Sequence, residues 1–173
     1  IRERPLFHGK LFRVHRDLVE MPDGKCLQRE IITHPGSSVI IPVLDSGKIV
    51  LIRQFRYAAK GWILELPAGT LEPGETPRAC AAREIVEEIG YRASTLRLLL
   101  VLYPSPGILT ERMHLFLARG LVKEVTKLDY DELIEMKAFT RREITALIGK
   151  RRIQDAKTLA GLLYYFSHHS PLK

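Results

Sequence analysis

The sequence predicts an α+β domain, a mixed β-sheet flanked by helices, with an antiparallel β extension at its N-terminal end. Three observations carry this. Short alternating or wholly apolar runs recur between residues 10 and 56, separated by Pro, Gly and Asp turns, as in strands joined by tight connections. A helical segment with clear start and stop signals, Thr76 to Gly90, follows them, and two more helical segments close the chain. Finally, 173 residues with 46% hydrophobic and 27% charged side chains can bury a core and are too apolar for disorder.

In order, Leu11 to His15 alternates, Asp17 to Glu20 leads into Pro22-Asp23-Gly24, and Lys25 to Thr33 returns. D-G between two such runs is a hairpin signal. Residues 1–36 therefore form the extension and 37–173 the main domain. A hairpin that small is not stable alone, so it packs on the main sheet or on a second subunit. Ser38 to Leu44 is a strand, and Asp45-Ser46-Gly47 turns into Lys48 to Arg56, apolar up to Ile52 as an interior strand would be. Ala58 to Gly61 is a loop, and Trp62 to Ala68 is one extended run.

Thr76 is a hydroxyl N-cap with Pro77 in the first helical position, and Gly90 is a suitable stop. Strands follow at Thr95 to Tyr103, Arg112 to Arg119 and Leu133 to Phe139, with a constrained turn at Pro104 to Gly107 and an acidic loop at Asp129 to Glu132. Thr140 and Glu143 make a capping box for a helix ending near Ile148. Gln154 to His168 is the last helix, with Leu159, Leu162, Leu163 and Phe166 toward the core.

The chemistry concentrates in the first helix. At ~100° per residue, Ala79, Ala82, Val86 and Ile89 share one side, with Ile85 at its margin. Glu84, Glu87 and Glu88 fall opposite, with Arg83 beside them. Three carboxylates on one face repel each other unless a cation sits among them. The preceding loop adds Glu72 and Glu75 between Gly69 and Gly74. Such a cluster suits a hard divalent cation; the plainer alternative is a solvated acidic face.

The stretch Gly69 to Tyr91, G-T-L-E-P-G-E-T-P-R-A-C-A-A-R-E-I-V-E-E-I-G-Y, resembles the Nudix box, G-x5-E-x7-R-E-U-x-E-E-x-G-U, where U is a bulky aliphatic residue. Gly69, Glu75, Arg83, Glu84, Ile85, Glu87, Glu88 and Gly90 fall in register. Tyr91 departs from the pattern at a packing position. The resemblance implies an α/β/α sandwich and Mg²⁺-dependent hydrolysis of a diphosphate, with Mn²⁺ as a substitute. It implies Glu84, Glu88 and Glu87 as metal ligands together with the Ala68 carbonyl, Glu75 holding the loop or a metal, and Arg83 orienting the acidic cluster.

The flanks, R-Q-F-R-Y, W-I-L-E-L-P-A-G and Y-P-S-P-G-I-L-T-E, resemble the ADP-ribose pyrophosphatase branch of that superfamily and extend the likeness from Glu30 to Phe139. The implied substrate is ADP-ribose or a related nucleoside diphosphate sugar. The same chemistry on GDP-mannose or FAD is one alternative, and a non-catalytic nucleotide-sensing module is another. By the same likeness Arg56 contacts the diphosphate or terminal ribose, a task suited to guanidinium. Arg29 and Glu30 contact the nucleotide, Glu111 lies near metal and substrate, and Glu132 in the acidic loop is the general base. Trp62 either stacks on a base or covers the core. Members of the branch exchange the N-terminal region across a homodimer, so a homodimer is expected.

The net charge of +7 is spread along the chain, which favours a small anionic substrate over nucleic acid. No apolar run approaches the ~20 residues of a membrane span, and no signal-peptide pattern opens the chain. Cys26 and Cys80 lack metal or redox spacing, so a reducing cytoplasm is expected.

Overall fold

The computed structural model describes residues 2–125 and 133–169, which form ten strands and three α-helices. The extension is a three-stranded antiparallel sheet, β1 (Arg2–His8), β2 (Arg13–Glu20) and β3 (Cys26–Thr33), in that order. β2 and β3 are the expected hairpin, whereas β1 was not anticipated, because R-E-R-P-L-F-H is charged, broken by a proline and scarcely alternating. Its register shifts between Pro5 and Phe7, and an edge strand with a bulge is where a sheet tolerates proline. Inside the sheet His15 is buried, with Nδ1 2.7 Å from Asp17 Oδ1 and Nε2 2.7 Å from Thr33 Oγ1, which ties β2 to β3.

Beyond residue 36 the described residues form two sheets where one was expected. One runs β7 (Ala68–Thr70), β4 (Ser37–Pro42), β9 (Met113–Lys123), β8 (Tyr91–Leu102), with β4 and β9 parallel. The other runs β10 (Ile134–Phe139), β5 (Ile49–Arg56), β6 (Gly61–Glu65), all antiparallel. The single run expected over Trp62–Ala68 divides at Leu66-Pro67, so that β6 and β7 belong to different sheets. Pro67 has no N–H to give a ladder, and its carbonyl instead accepts from Ile40 N–H at 2.8 Å.

Alternation along β4 places a helix layer on each side. Ile40 packs with Val50 and Ile52 against Ala81, Ile85 and Ile89 of α1 (Pro77–Ile89). Val39 and Ile41 pack with Leu51 and Leu66 against Ile144 of α2 (Arg141–Gly149) and Leu162 of α3 (Ala156–His168). The helix ends follow their caps. Thr76 accepts from Ala79 N–H, Gly90 closes α1 at φ 64°, the Thr140/Glu143 box opens α2, and Asp155 caps α3. Each of the three N-caps contributes about 1 kcal/mol.

Candidate active site

The site begins with which face α1 buries, and here the helical periodicity misled. Ala79 and Ala82 are exposed, while Cys80, Ala81, Glu84, Ile85, Glu88 and Ile89 are buried. Glu84 is 8% exposed and Glu88 3%, so two of the three carboxylates assigned to the outer side face inward. They are tolerated because β7 and the loop beside it supply polar partners, and buried charge is stable only when paired and hydrogen-bonded. Glu88 Oε2 accepts the Ala68 N–H at 3.0 Å. The Glu84 carboxylate occupies the space a side chain at Gly69 would need. Ser38 Oγ donates to the Pro77 carbonyl at 2.7 Å and fixes the start of α1 to β4.

Arg83 is the cation among these acids. Its Nη1 donates to Glu84 Oε1 at 2.7 Å and Glu87 Oε2 at 2.8 Å. Its Nε and Nη2 each donate to the Glu75 carboxylate at 3.0 Å, and Nη2 also reaches the Thr70 carbonyl at 3.2 Å. The hydrogen bonds it donates to Glu75 are the main reason that Arg83 holds its proton even more tightly than usual. In return Arg83 holds the Glu75 carboxyl below the usual range. Cys80, next to this cluster, is set apart from the chemistry: burial pushes its thiol up to about 11.

The cluster forms the floor of an open cavity of about 830 Å³. Glu84, Glu87 and Arg83 line it together with Ala68–Thr70, and Gln54, Phe55 and Arg56 from the end of β5 form a wall. Lys10 and Leu11 of the extension reach its rim. Arg56 is held side-on: its Nε and Nη2 donate to Glu65 Oε1 and Oε2, both at 2.9 Å. Glu65 is 2% exposed and is also paired with Lys157 Nζ, which lies 3.0 Å from Asp155 Oδ2. Burial alone would raise the Glu65 carboxyl, but Arg56 and Lys157 together bring it below its ordinary value. The Glu65 hydrogen bonds correspondingly raise Arg56.

Of the residues singled out from the sequence, Arg56, Ala68, Arg83, Glu84 and Glu87 line one cavity. Glu75 joins them through Arg83, and Glu88 through Ala68. Glu111 lies beside β4, where it accepts from Ser37 Oγ at 2.7 Å and sits 3.8 Å from His34 Nδ1. Trp62 does not line the cavity; it packs edge-on against Phe55, with the Arg53 guanidinium 4.5 Å above its ring. Arg29 and Glu30 are exposed on β3, away from this cavity, and Glu30 pairs with Arg16 at 2.6 Å. Glu132 lies outside the described residues.

The sequence reading missed Lys10, Gln54, Glu65 and Lys157. Glu65 was visible inside W-I-L-E-L-P-A-G, but nothing local could show that its partner stands 92 positions away.

The donor chemistry fits a hard divalent cation. The carboxylates of Glu84, Glu87 and Glu88 and the backbone carbonyls of β7 are all oxygen donors, and the absence of a side chain at Gly69 lets Glu84 approach β7.

A family model described as the NUDIX domain matches residues 34–162. The chain is 40% identical over 166 residues to an ADP-ribose pyrophosphatase of Bacillus subtilis (strain 168), covering 95% of this chain and 90% of that one. It is 37% identical over 166 residues, with the same coverage, to a methanol dehydrogenase activator of Bacillus methanolicus. A crystal structure of an ADP compounds hydrolase superposes with a TM-score of 0.84 at 22% identity, over 97% of this chain and 91% of that one, a likeness of fold.

Proposed function

The chain belongs to the NUDIX family, and from that premise we propose that it is a Mg²⁺-dependent hydrolase of nucleoside diphosphate sugars, with ADP-ribose as its substrate. The observation that carries the reading is one cavity with a carboxylate floor at Glu84 and Glu87 and a guanidinium wall at Arg56. Those are the two halves that diphosphate cleavage needs. The substrate assignment is supported by the relatives' names and by the size of the cavity, which lies in the range for a ligand of that class.

Glu84, Glu88 and Glu87, with the Ala68 carbonyl and Glu75 behind them, would hold the cation. A divalent cation held there neutralises charge on the diphosphate oxygens and acidifies water. Arg56 binds the diphosphate through the three N–H groups that Glu65 leaves unused out of the five a guanidinium carries. Arg83 keeps Glu84 and Glu87 in place against their mutual repulsion. Glu111, fixed to β4 by the Ser37 hydroxyl, is assigned to the metal and substrate side of the site. Glu132 is assigned as the general base: it takes a proton from water as the water oxygen bonds to one phosphorus and the P–O–P bridge breaks, releasing AMP and ribose 5-phosphate.

In the same reading residues 37–173 are the hydrolase domain, and the extension, residues 1–36, lies at a homodimer interface. The exposed Leu6, Phe7, Leu11 and Leu18 of the extension support this, because large apolar side chains grouped on so small a unit mark an interaction surface. Arg29 and Glu30, which do not line the cavity of their own chain, would serve that of a partner. Two unpaired thiols, Cys26 and Cys80, support a cytoplasmic location.

The test is direct. Protein incubated with ADP-ribose and Mg²⁺ should release AMP and ribose 5-phosphate, and a chelator should stop the release. GDP-mannose and FAD in the same assay rank the alternatives by kcat/KM. No turnover of any nucleoside diphosphate derivative would sink the proposal.

A further inference from the structure

Arg56 would be mobile if nothing stood behind it, since a surface arginine has four rotatable bonds and loses much rotamer freedom when fixed. What stands behind it is unusual. Glu65, the last residue of β6, is among the largest fully buried side chains, in company with Ile52, Leu66 and Leu115. Two cations share its carboxylate: Arg56 as a bidentate fork at 2.9 and 2.9 Å, and Lys157 on the same Oε2 that accepts from Arg56 Nη2. Lys157 belongs to the first turn of α3, whose N-cap Asp155 it also contacts at 3.0 Å. The neighbouring Thr158 adds a second tie between the same elements, accepting the Leu66 N–H at 2.7 Å.

A buried ion cluster is a poor device for stability, because apolar residues of similar volume do as well or better. Its geometry points to another use. The fork immobilises one edge of the guanidinium and leaves the other edge to the cavity. Because Lys157 draws on the same oxygen, the carboxylate's charge is divided, and Arg56 retains positive field for an anionic ligand.

We infer that Glu65 and Lys157 are positioning residues that hold Arg56 ready for the diphosphate, so that the N-terminus of α3, far from the acidic helix in sequence, helps set substrate affinity. This rests on the reading of Arg56 as the diphosphate-binding arginine.

The experiment is a double-mutant cycle on Arg56→Ala, Glu65→Gln and the pair, with Lys157→Met alongside, assayed on ADP-ribose with Mg²⁺ and checked for folding by thermal melting. Arg56→Ala should raise KM at least about tenfold, the loss of a charge-assisted bidentate contact. Glu65→Gln should raise KM severalfold with kcat changed much less, and should add nothing further in the Arg56→Ala background. Lys157→Met should raise KM in the same sense and more weakly. If Arg56→Ala raises KM while Glu65→Gln and Lys157→Met leave it unchanged, the positioning role is overturned and the reading of Arg56 survives. If the effects of Arg56→Ala and Glu65→Gln multiply, Glu65 acts through something else and the inference is likewise overturned. If Arg56→Ala is itself silent, the reading beneath the inference fails. Should Glu65→Gln not fold, Lys157→Met in the presence and absence of Arg56 decides by the same non-additivity.

Discussion

The Glu84 carboxylate lies where a side chain on Gly69 would have to be. Gly69 sits in β7 with no constraint to positive φ, so its glycine is required by this close approach and not by backbone conformation. An acid from α1 is thereby pressed against the strand whose carbonyls share the site.

Gly69→Ala should therefore displace Glu84. A misplacement of about 1 Å at a reacting site can cost about a hundredfold in rate, so kcat/KM should fall at least that far. Steady-state kinetics over a range of Mg²⁺ concentrations checks this. A variant with full activity and unchanged metal dependence would show that Glu84 has no part in holding the cation.

Glu88→Gln keeps an oxygen able to accept the Ala68 N–H, which Glu88 Oε2 now does at 3.0 Å, while replacing the other oxygen with an NH2 group and removing the charge. The fold should persist, with circular dichroism and melting close to wild type. Metal-assisted charge stabilisation amounts to several kcal/mol, so kcat should drop more than about a hundredfold while nucleotide binding is retained. Equal rates for the two proteins would refute the assignment of the buried carboxylates to metal.

Acid stability should depend on Glu65. Its folded carboxyl titrates lower than an unfolded one, despite burial, because Arg56 and Lys157 hold the charged form. The stability it contributes is thus complete above the unfolded value, about pH 4.3, and is lost as pH falls through the lower folded value. Urea midpoints measured from pH 6 to pH 3 should fall more steeply for wild type than for Glu65→Gln below about pH 4.3. Parallel curves would remove Glu65 from the acid transition.

The two thiols should behave differently. Cys26 is exposed, whereas Cys80 is buried and its thiol is pushed up to about 11, so that little thiolate is present at pH 8. A thiol reagent at pH 8 should modify one equivalent quickly and the second only after denaturation. Rapid modification of both would contradict the packing of Cys80 under Gly69 and Arg83.

Much of this was legible beforehand where the cause is local. Thr76, Pro77 and Gly90 delimit α1 because caps act within a single turn, and the helix spans Pro77–Ile89 as they require. The Asp23-Gly24 turn marks β2 and β3 for the same reason. β1 was missed since nothing in its own residues asks for a strand; it forms by adding to an existing edge, from Arg2↔Leu18 to His8↔Arg13. From the sequence Trp62–Ala68 looks like one strand, because extended residues look alike whichever sheet they join.

The sequence by itself determined the family and the α+β class, and it set Glu84, Glu87 and Glu88 on one helix, because these are written in residue types at fixed short spacings. It could not determine which side of α1 is buried. Periodicity counts apolar residues on an isolated helix, whereas Glu84 and Glu88 turn inward because partners on other elements, Ala68 N–H and the gap at Gly69, make burial of charge tolerable. Nor could it join Glu65 to Lys157, across 92 positions, or set Arg56 in front of them. Those relationships exist only once the sheets and α3 have packed, since a hydrogen bond is decided by distance in space and not along the chain.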